Sequence, residues 1–307
     1  MKKIVLSQTC QGSVLRQLFL SSPEFAREFE CTFIQNFELR DGKPGLAPRT
    51  ALEQAIERCD VLIYHDIAHY DFPSLLTRMP SGSMAIKIPY ITSTIYWPTH
   101  DAHNLISLLP AGDTSRIPWP CKILSKLIVS LGDKAKALDA YMNLDIPSAV
   151  RINRVYADQI AYLAKAERGS IFNITAFTEK NFRNVQLFHL INHPSLPVFV
   201  EVANTILAKL GLPLIKNVPE DPFATHQTPL HPSIISHYGL SWCDASTKYR
   251  IIDSSYSFEE YVALYIDAYV EKYGYAMYPR RFPKHKILGK PLRTIKTFFS
   301  FLGKRPA

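Results

Sequence analysis

The chain opens with Met1-Lys2-Lys3-Ile4-Val5-Leu6-Ser7-Gln8-Thr9-Cys10-Gln11-Gly12-Ser13-Val14-Leu15-Arg16. An apolar run, Ile4-Val5-Leu6, stops at small polar residues; Cys10 and Gln11 follow, and helical apolar spacing begins at Val14. This is the pattern of a strand, a tight turn and a helix start. In an α/β protein the carboxyl end of a strand, facing a helix N-terminus, is where ligands and nucleophiles sit. A thiol at Cys10 would feel the positive end of the helix dipole, which favours its thiolate. Gln11 beside it can donate a hydrogen bond to a developing oxyanion.

The same alternation continues through the N-terminal half. Strand one, Ile4–Leu6, precedes a helix over 13–21, and strand two is Thr32–Gln35. A helix follows Pro48 with Leu52, Ala55 and Ile56 on its apolar side, and strand three is Val61–Tyr64. A short helix over 73–78 leads to strand four, Ala85–Ile91. Short, continuously apolar strands separated by helices predict a mostly parallel sheet covered on both faces. The second half reads as largely helical: Ile123–Ser130, a long helix from Pro147 to Ala166, Leu196–Leu210 ended by Gly211, Pro232–Tyr238 and Phe258–Tyr273. A last strand returns at Val185–Leu190. The expected fold is therefore α/β, with additional helices in the C-terminal half.

The 307 residues are 47% apolar and 20% charged, the balance of a globular protein rather than a disordered one. No apolar run is long enough for a transmembrane helix. Lys2 and Lys3 begin like a secretory n-region, but the apolar stretch after them ends too soon, so a cytoplasmic protein is expected. Five cysteines at long, irregular spacings contain no Cys-x-x-Cys, which fits reduced thiols rather than a zinc ribbon or thioredoxin motif. The net charge of +8 belongs to one end: ten Lys or Arg and no acidic residue occur from Lys272 to Ala307. We expect a single α/β domain over 1–283 and a basic amphipathic tail over 284–307. In Lys290–Gly303, Leu292, Ile295, Phe298, Phe299 and Leu302 share a helical face flanked by Lys290, Arg293 and Lys296. That face suits either the inner, anionic surface of the cell membrane or the domain itself. No recognised nucleic-acid motif accompanies the charge, so nucleic acid is not an expected partner.

Further candidates follow the predicted strands. His193, in Phe188-His189-Leu190-Ile191-Asn192-His193-Pro194, follows the last strand, on the edge that carries Cys10, and can serve as a base or as a loop histidine. After strand three comes Tyr64-His65-Asp66-Ile67-Ala68-His69-Tyr70-Asp71. His65 and His69 have the i, i+4 spacing of a helical zinc pair, but the segment leaves a strand and no third ligand is evident, so no metal is expected. Thr92-Ser93-Thr94-Ile95-Tyr96-Trp97-Pro98-Thr99-His100 interleaves aromatics with hydroxyls, as a sugar or adenine site does and as loop residues closing a core also do. The glycine-rich loops for nicotinamide cofactors and ATP are absent, as is the Gly-x-Ser-x-Gly elbow.

Three of these features together, the Cys10-Gln11 turn, the apolar Asp60–Tyr64 strand ending in polar residues, and the Phe-His-x-x-Asn-His-Pro loop, resemble the WcbI family of capsular polysaccharide biosynthesis acetyltransferases, over about Met1 to Leu210. One departure is Gln8-Thr9, where members often carry Gly-Asn; if that asparagine builds an oxyanion hole, Gln8 or Thr9 must replace it. The resemblance implies a flavodoxin-like sheet related to SGNH hydrolases, with the nucleophile after strand one and the histidine after the last strand, the places of Cys10 and His193. The SGNH aspartate three residues before the histidine is Leu190 here, so Asp66, His65 or Asn192 would orient the imidazole. It also implies coenzyme A as ligand, acetyl-CoA as cosubstrate and a capsular sugar or polysaccharide precursor as acceptor. By charge, Lys87, Lys122, Arg280 and Arg281 are candidates for the coenzyme's phosphates. The alternatives are an SGNH-like carbohydrate esterase, or a non-catalytic sugar- or lipid-binding protein docked on a membrane.

Overall fold

Four short strands, each built around apolar residues, lie side by side in the computed structural model in one parallel sheet of order β2-β1-β3-β4. The structure describes residues 1–36, 49–67, 71–100 and 121–275. In chain order the N-terminal elements are β1 (Lys2–Gln8), α1 (Gln11–Leu20), α2 (Pro23–Glu28), β2 (Phe29–Gln35), α3 (Arg49–Ile56), β3 (Val61–His65), α4 (Phe72–Leu76) and β4 (Met84–Ile88). There follow α5 (Lys122–Leu131), α6 (Lys134–Met142), α7 (Ile146–Val150), α8 (Ile152–Ala166), α9 (Ile174–Asn181), β5 (Phe188–Leu190), β6 (His193–Pro194) and α10 (Leu196–Lys209). The last are α11 (Pro232–Tyr238), β7 (Tyr249–Ile251), β8 (Ser254–Tyr256) and α12 (Phe258–Tyr273). The strand order is that of the first four strands of a flavodoxin-like sheet, as the resemblance implied.

Contacts sort the chain into two compact units: Met1–Ser93 with Gln159–Thr225, and Thr94–Asp158 with His226–Ala307. The first holds the sheet. Ile4, Leu6, Leu62 and Ile63 are fully shielded, because helices cover both faces of a parallel sheet. Helix α1 buries Gln11, Val14, Leu15, Leu18 and Phe19, the one-sided spacing of an amphipathic helix, and contacts α10. Its approach to the sheet requires Gly12: a Cβ there would lie 2.8 Å from the Gln8 Cβ and 2.5 Å from the Phe33 ring. The second unit is mainly helical, with α5, α6 and α12 in mutual contact and α7 against α11.

Two expectations are corrected. The strand predicted at Val185–Leu190 does not join the main sheet: β5 is three residues long and pairs antiparallel with β6, because the chain reverses at Ile191 and Asn192. The long helix predicted from Pro147 to Ala166 is two helices, α7 and α8, parted by Arg151 in the left-handed region at φ 53° and ψ 59°. Of the two readings of the Thr92–His100 stretch, its aromatics follow the core-closing one: Tyr96 and Trp97 are buried with Ile95, and the Trp97 indole N–H donates to the carbonyls of Thr228 (3.2 Å) and Pro229 (3.3 Å). Helices α6 and α9 and the hairpin β7–β8 add elements the periodicity did not give. The tail over 284–307, with Arg280, Arg281 and His69, lies outside the described residues. Among the described residues no helix is long and apolar enough to cross a membrane.

Candidate functional site

Cys10 is the N-cap of α1, one turn beyond the carboxyl end of β1, and its side chain remains partly accessible. Its Sγ lies 3.9 Å from His193 Nε2, although the two residues are 183 positions apart. Sequence reasoning placed a thiolate-favouring dipole here. Burial outweighs it and pushes the thiol above its ordinary value of 9.0, against the Thr9 hydroxyl and the backbone N–H groups of Cys10 and Gln11, which pull it down. Burial thus favours the thiol form of Cys10, and His193 stands within reach of its proton.

Gln11 does something the sequence did not show. It is 1% exposed, and its amide nitrogen donates to the carbonyls of Ile91 (2.7 Å) and Asn192 (3.0 Å). Its Oε1 accepts from the Ile91 N–H at 3.3 Å. Both amide hydrogens are thus committed, so the expected oxyanion donation is not available from this side chain. Instead Gln11 ties the Cys10 turn to the segment after β4 and to the loop that carries His193.

The groups expected to orient His193 are placed otherwise. Asp66 is ion-paired with Lys87 at 2.7 Å. His65 is 1% exposed beside Tyr90, its Nδ1 buried without a hydrogen-bond partner among the described residues, and burial pushes its pKa down to about 3. It is a neutral core imidazole. Asn192 contributes its backbone carbonyl to Gln11. Lys122 is the first residue of α5, in the second unit.

What fixes the His193 ring is Phe223, stacked on it with centroids 4.1 Å apart and planes 12° from parallel. Phe223 is held in turn by Asp221. One Asp221 oxygen accepts from the Phe223 N–H (2.9 Å); the other accepts from the Leu196 N–H at the start of α10 (2.7 Å) and faces His189 Nε2 at 2.8 Å. Burial raises the Asp221 carboxyl, but His189 and the two N–H groups prevail and hold it below the ordinary carboxylate value. Neither Asp221 nor Phe223 was singled out in the sequence; the only signal was an acidic residue followed by an aromatic in a proline-rich turn.

The arrangement brings together a thiol, an imidazole and a ring stacked on the imidazole, beyond the carboxyl end of β1. A second cysteine, Cys121, caps α5 in the other unit within 3.2 Å of the Thr99 hydroxyl and 3.1 Å of the Tyr141 hydroxyl. Among the described residues no three potential ligands gather as a metal site would need.

The profile of the family described as "Polysaccharide biosynthesis enzyme WcbI" matches residues 3–214. A solved structure of WcbI, "a novel polysaccharide biosynthesis enzyme", is similar at a TM-score of 0.74 and 20% identity, over 90% of this chain and 91% of that one. It is described as the native protein without a disulfide bond between coenzyme A and one of its cysteines. No curated protein matches the chain.

Proposed function

The chain belongs to the WcbI family of polysaccharide biosynthesis enzymes, and on that premise we propose that it moves an acetyl group from acetyl-CoA to a sugar hydroxyl of a capsular polysaccharide or its precursor. The observation that carries this reading is the 3.9 Å approach of Cys10 Sγ to His193 Nε2. The mention of coenzyme A and a cysteine in the description of WcbI supports the choice of donor.

The chemistry proceeds in two balanced steps. His193 takes the Cys10 proton, the sulfur attacks the thioester carbonyl, and the carbon–sulfur bond to the coenzyme breaks. The departing thiolate recovers the proton from the imidazolium, leaving acetyl-Cys10. A sugar hydroxyl then gives its proton to His193 as its oxygen bonds to the carbonyl carbon, the Cys10 thiolate leaves, and the proton returns to sulfur. Gln11, by bonding both the segment after β4 and the loop that carries His193, keeps thiol and imidazole in register.

Lys122, Arg280 and Arg281 are the cations we assign to the coenzyme's phosphates. The tail after Pro283 attaches the protein to the inner face of the membrane, and truncation there should abolish partition onto anionic vesicles.

Calorimetric titration with coenzyme A, acetyl-CoA and ADP tests the donor. Binding of both coenzymes but not of ADP is expected. Folded protein that binds neither coenzyme overturns the transfer reading in favour of an esterase, whose signature is hydrolysis of acetylated sugars without coenzyme A.

A further inference from the structure

Residues 90–93 form one wall of the site. Gln11 grips Ile91 at both its N–H and its carbonyl, and the Ser93 N–H donates to the Ile191 carbonyl at 2.8 Å. The segment is thereby fixed between the Cys10 turn and the His193 loop. Burial alternates along it: Ile91 and Ser93 are buried, whereas Tyr90 and Thr92 are partly accessible. Alternation of this kind puts Tyr90 and Thr92 on one face.

That face continues onto the C-terminal part of α8. The Thr92 and Tyr162 hydroxyls lie 2.9 Å apart, while on the buried side Ser93 ties the same segment to α8 by donating its hydroxyl to Gln159 at 3.4 Å. Tyr90 feels both Cys10 and Tyr162: burial first, then their charges, push its phenol up to about 12, so it keeps its proton at neutral pH and can donate it in a hydrogen bond. Tyr162 is 43% exposed, and no other Phe, Tyr or Trp among the described residues is left so open to solvent. An exposed aromatic face bordered by hydroxyls matches a pyranose, whose C–H patches lie on a ring while its hydroxyls exchange hydrogen bonds with Thr and Tyr.

We propose that Tyr90, Thr92 and Tyr162 form the acceptor subsite, which seats a pyranose against the Tyr162 ring and presents one of its hydroxyls toward Cys10 and His193. The place of this subsite in the reaction rests on the acetyl-transfer reading; the sugar binding does not.

Saturation-transfer NMR tests it on the full chain with methyl α-glucopyranoside, methyl α-mannopyranoside and the methyl glycoside of N-acetylglucosamine. Saturation should reach the ring protons of at least one glycoside. It should fall roughly fivefold or more in Tyr162→Ala and be largely retained in Tyr162→Phe, which keeps the ring. Thr92→Val should fall between them. A melting curve confirms that each variant is folded. A signal unchanged in Tyr162→Ala overturns the subsite, and so does the absence of transfer to every glycoside in wild type. Coenzyme A titrated into the same wild-type sample scores the donor separately. Tyr162-dependent glycoside binding without coenzyme binding ends the transfer reading and keeps the subsite, and the converse result ends the subsite and keeps the transfer.

Discussion

The imidazole of His193 and the ring of Phe223 are stacked at 4.1 Å, and that contact helps set the plane of the imidazole that faces Cys10. Phe223 is positioned by Asp221, which also receives the first N–H of α10 and pairs with His189. Phe223→Ala should therefore lower kcat by roughly tenfold to a hundredfold, with less effect on KM, because it loosens the base without removing it. Asp221→Asn should act in the same direction. Phe223→Tyr, which keeps the stacking ring, should restore most of the rate in the same assay.

Cys10 offers a pH test of the thiol-to-imidazole order of events. Its pKa is raised above 9.0 by burial, so the fraction present as thiolate is small at neutral pH and grows as pH rises. The rate of alkylation by iodoacetamide should climb continuously between about pH 7 and pH 9, with Cys10→Ala as the blank. A plateau already reached near pH 6 would mean a resting thiolate–imidazolium pair and would contradict this ordering.

Gln11 separates a structural from a catalytic role. Gln11→Ala leaves the Ile91 and Asn192 carbonyls without their donor in a buried setting, at a cost of about 1–3 kcal/mol in unfolding free energy. Urea denaturation should show that loss together with slower Cys10 alkylation. Lower turnover at unchanged stability would instead return Gln11 to the oxyanion role that its place beside Cys10 suggested.

Much of this architecture is legible in the chain itself, for identifiable reasons. Strand β1 has the apolar centre Ile4-Val5-Leu6, β3 is apolar up to His65, and α12 carries a capping box, Ser257 with Glu260, ahead of its apolar positions. Cys10 and His193 could be named because both sit where a chain leaves apolar sequence for polar sequence. Helices α6 and α9 escaped because little of each is buried, only Ala137 and Tyr141 in one and Ile174 and Thr178 in the other, though Asp133 and Asn173 stand as N-caps before them. The break at Arg151 has no glycine or proline to announce it. The bonds that define the site span large separations, 80 residues from Gln11 to Ile91 and 32 from His189 to Asp221, and no local pattern encodes them. For the same reason Asp66 looked available to His193 until Lys87 was seen to hold it.

His65 makes the last prediction, one about stability. Its pKa in the folded protein is about 3, against an ordinary 6.5, because burial disfavours the charged ring. Between those values the unfolded chain takes up a proton that the folded one refuses, so stability falls as pH drops, by about 1.4 kcal/mol per unit. Above pH 6.5 neither state is protonated there and the effect vanishes. His65→Leu removes the titration and keeps an apolar occupant in a buried site. Urea denaturation at several pH values from 7 down to about 4 should show the wild type losing stability more steeply than the variant, with the gap widening as pH falls. Parallel curves would mean that His65 protonates in place, and that the pocket beside Tyr90 tolerates charge.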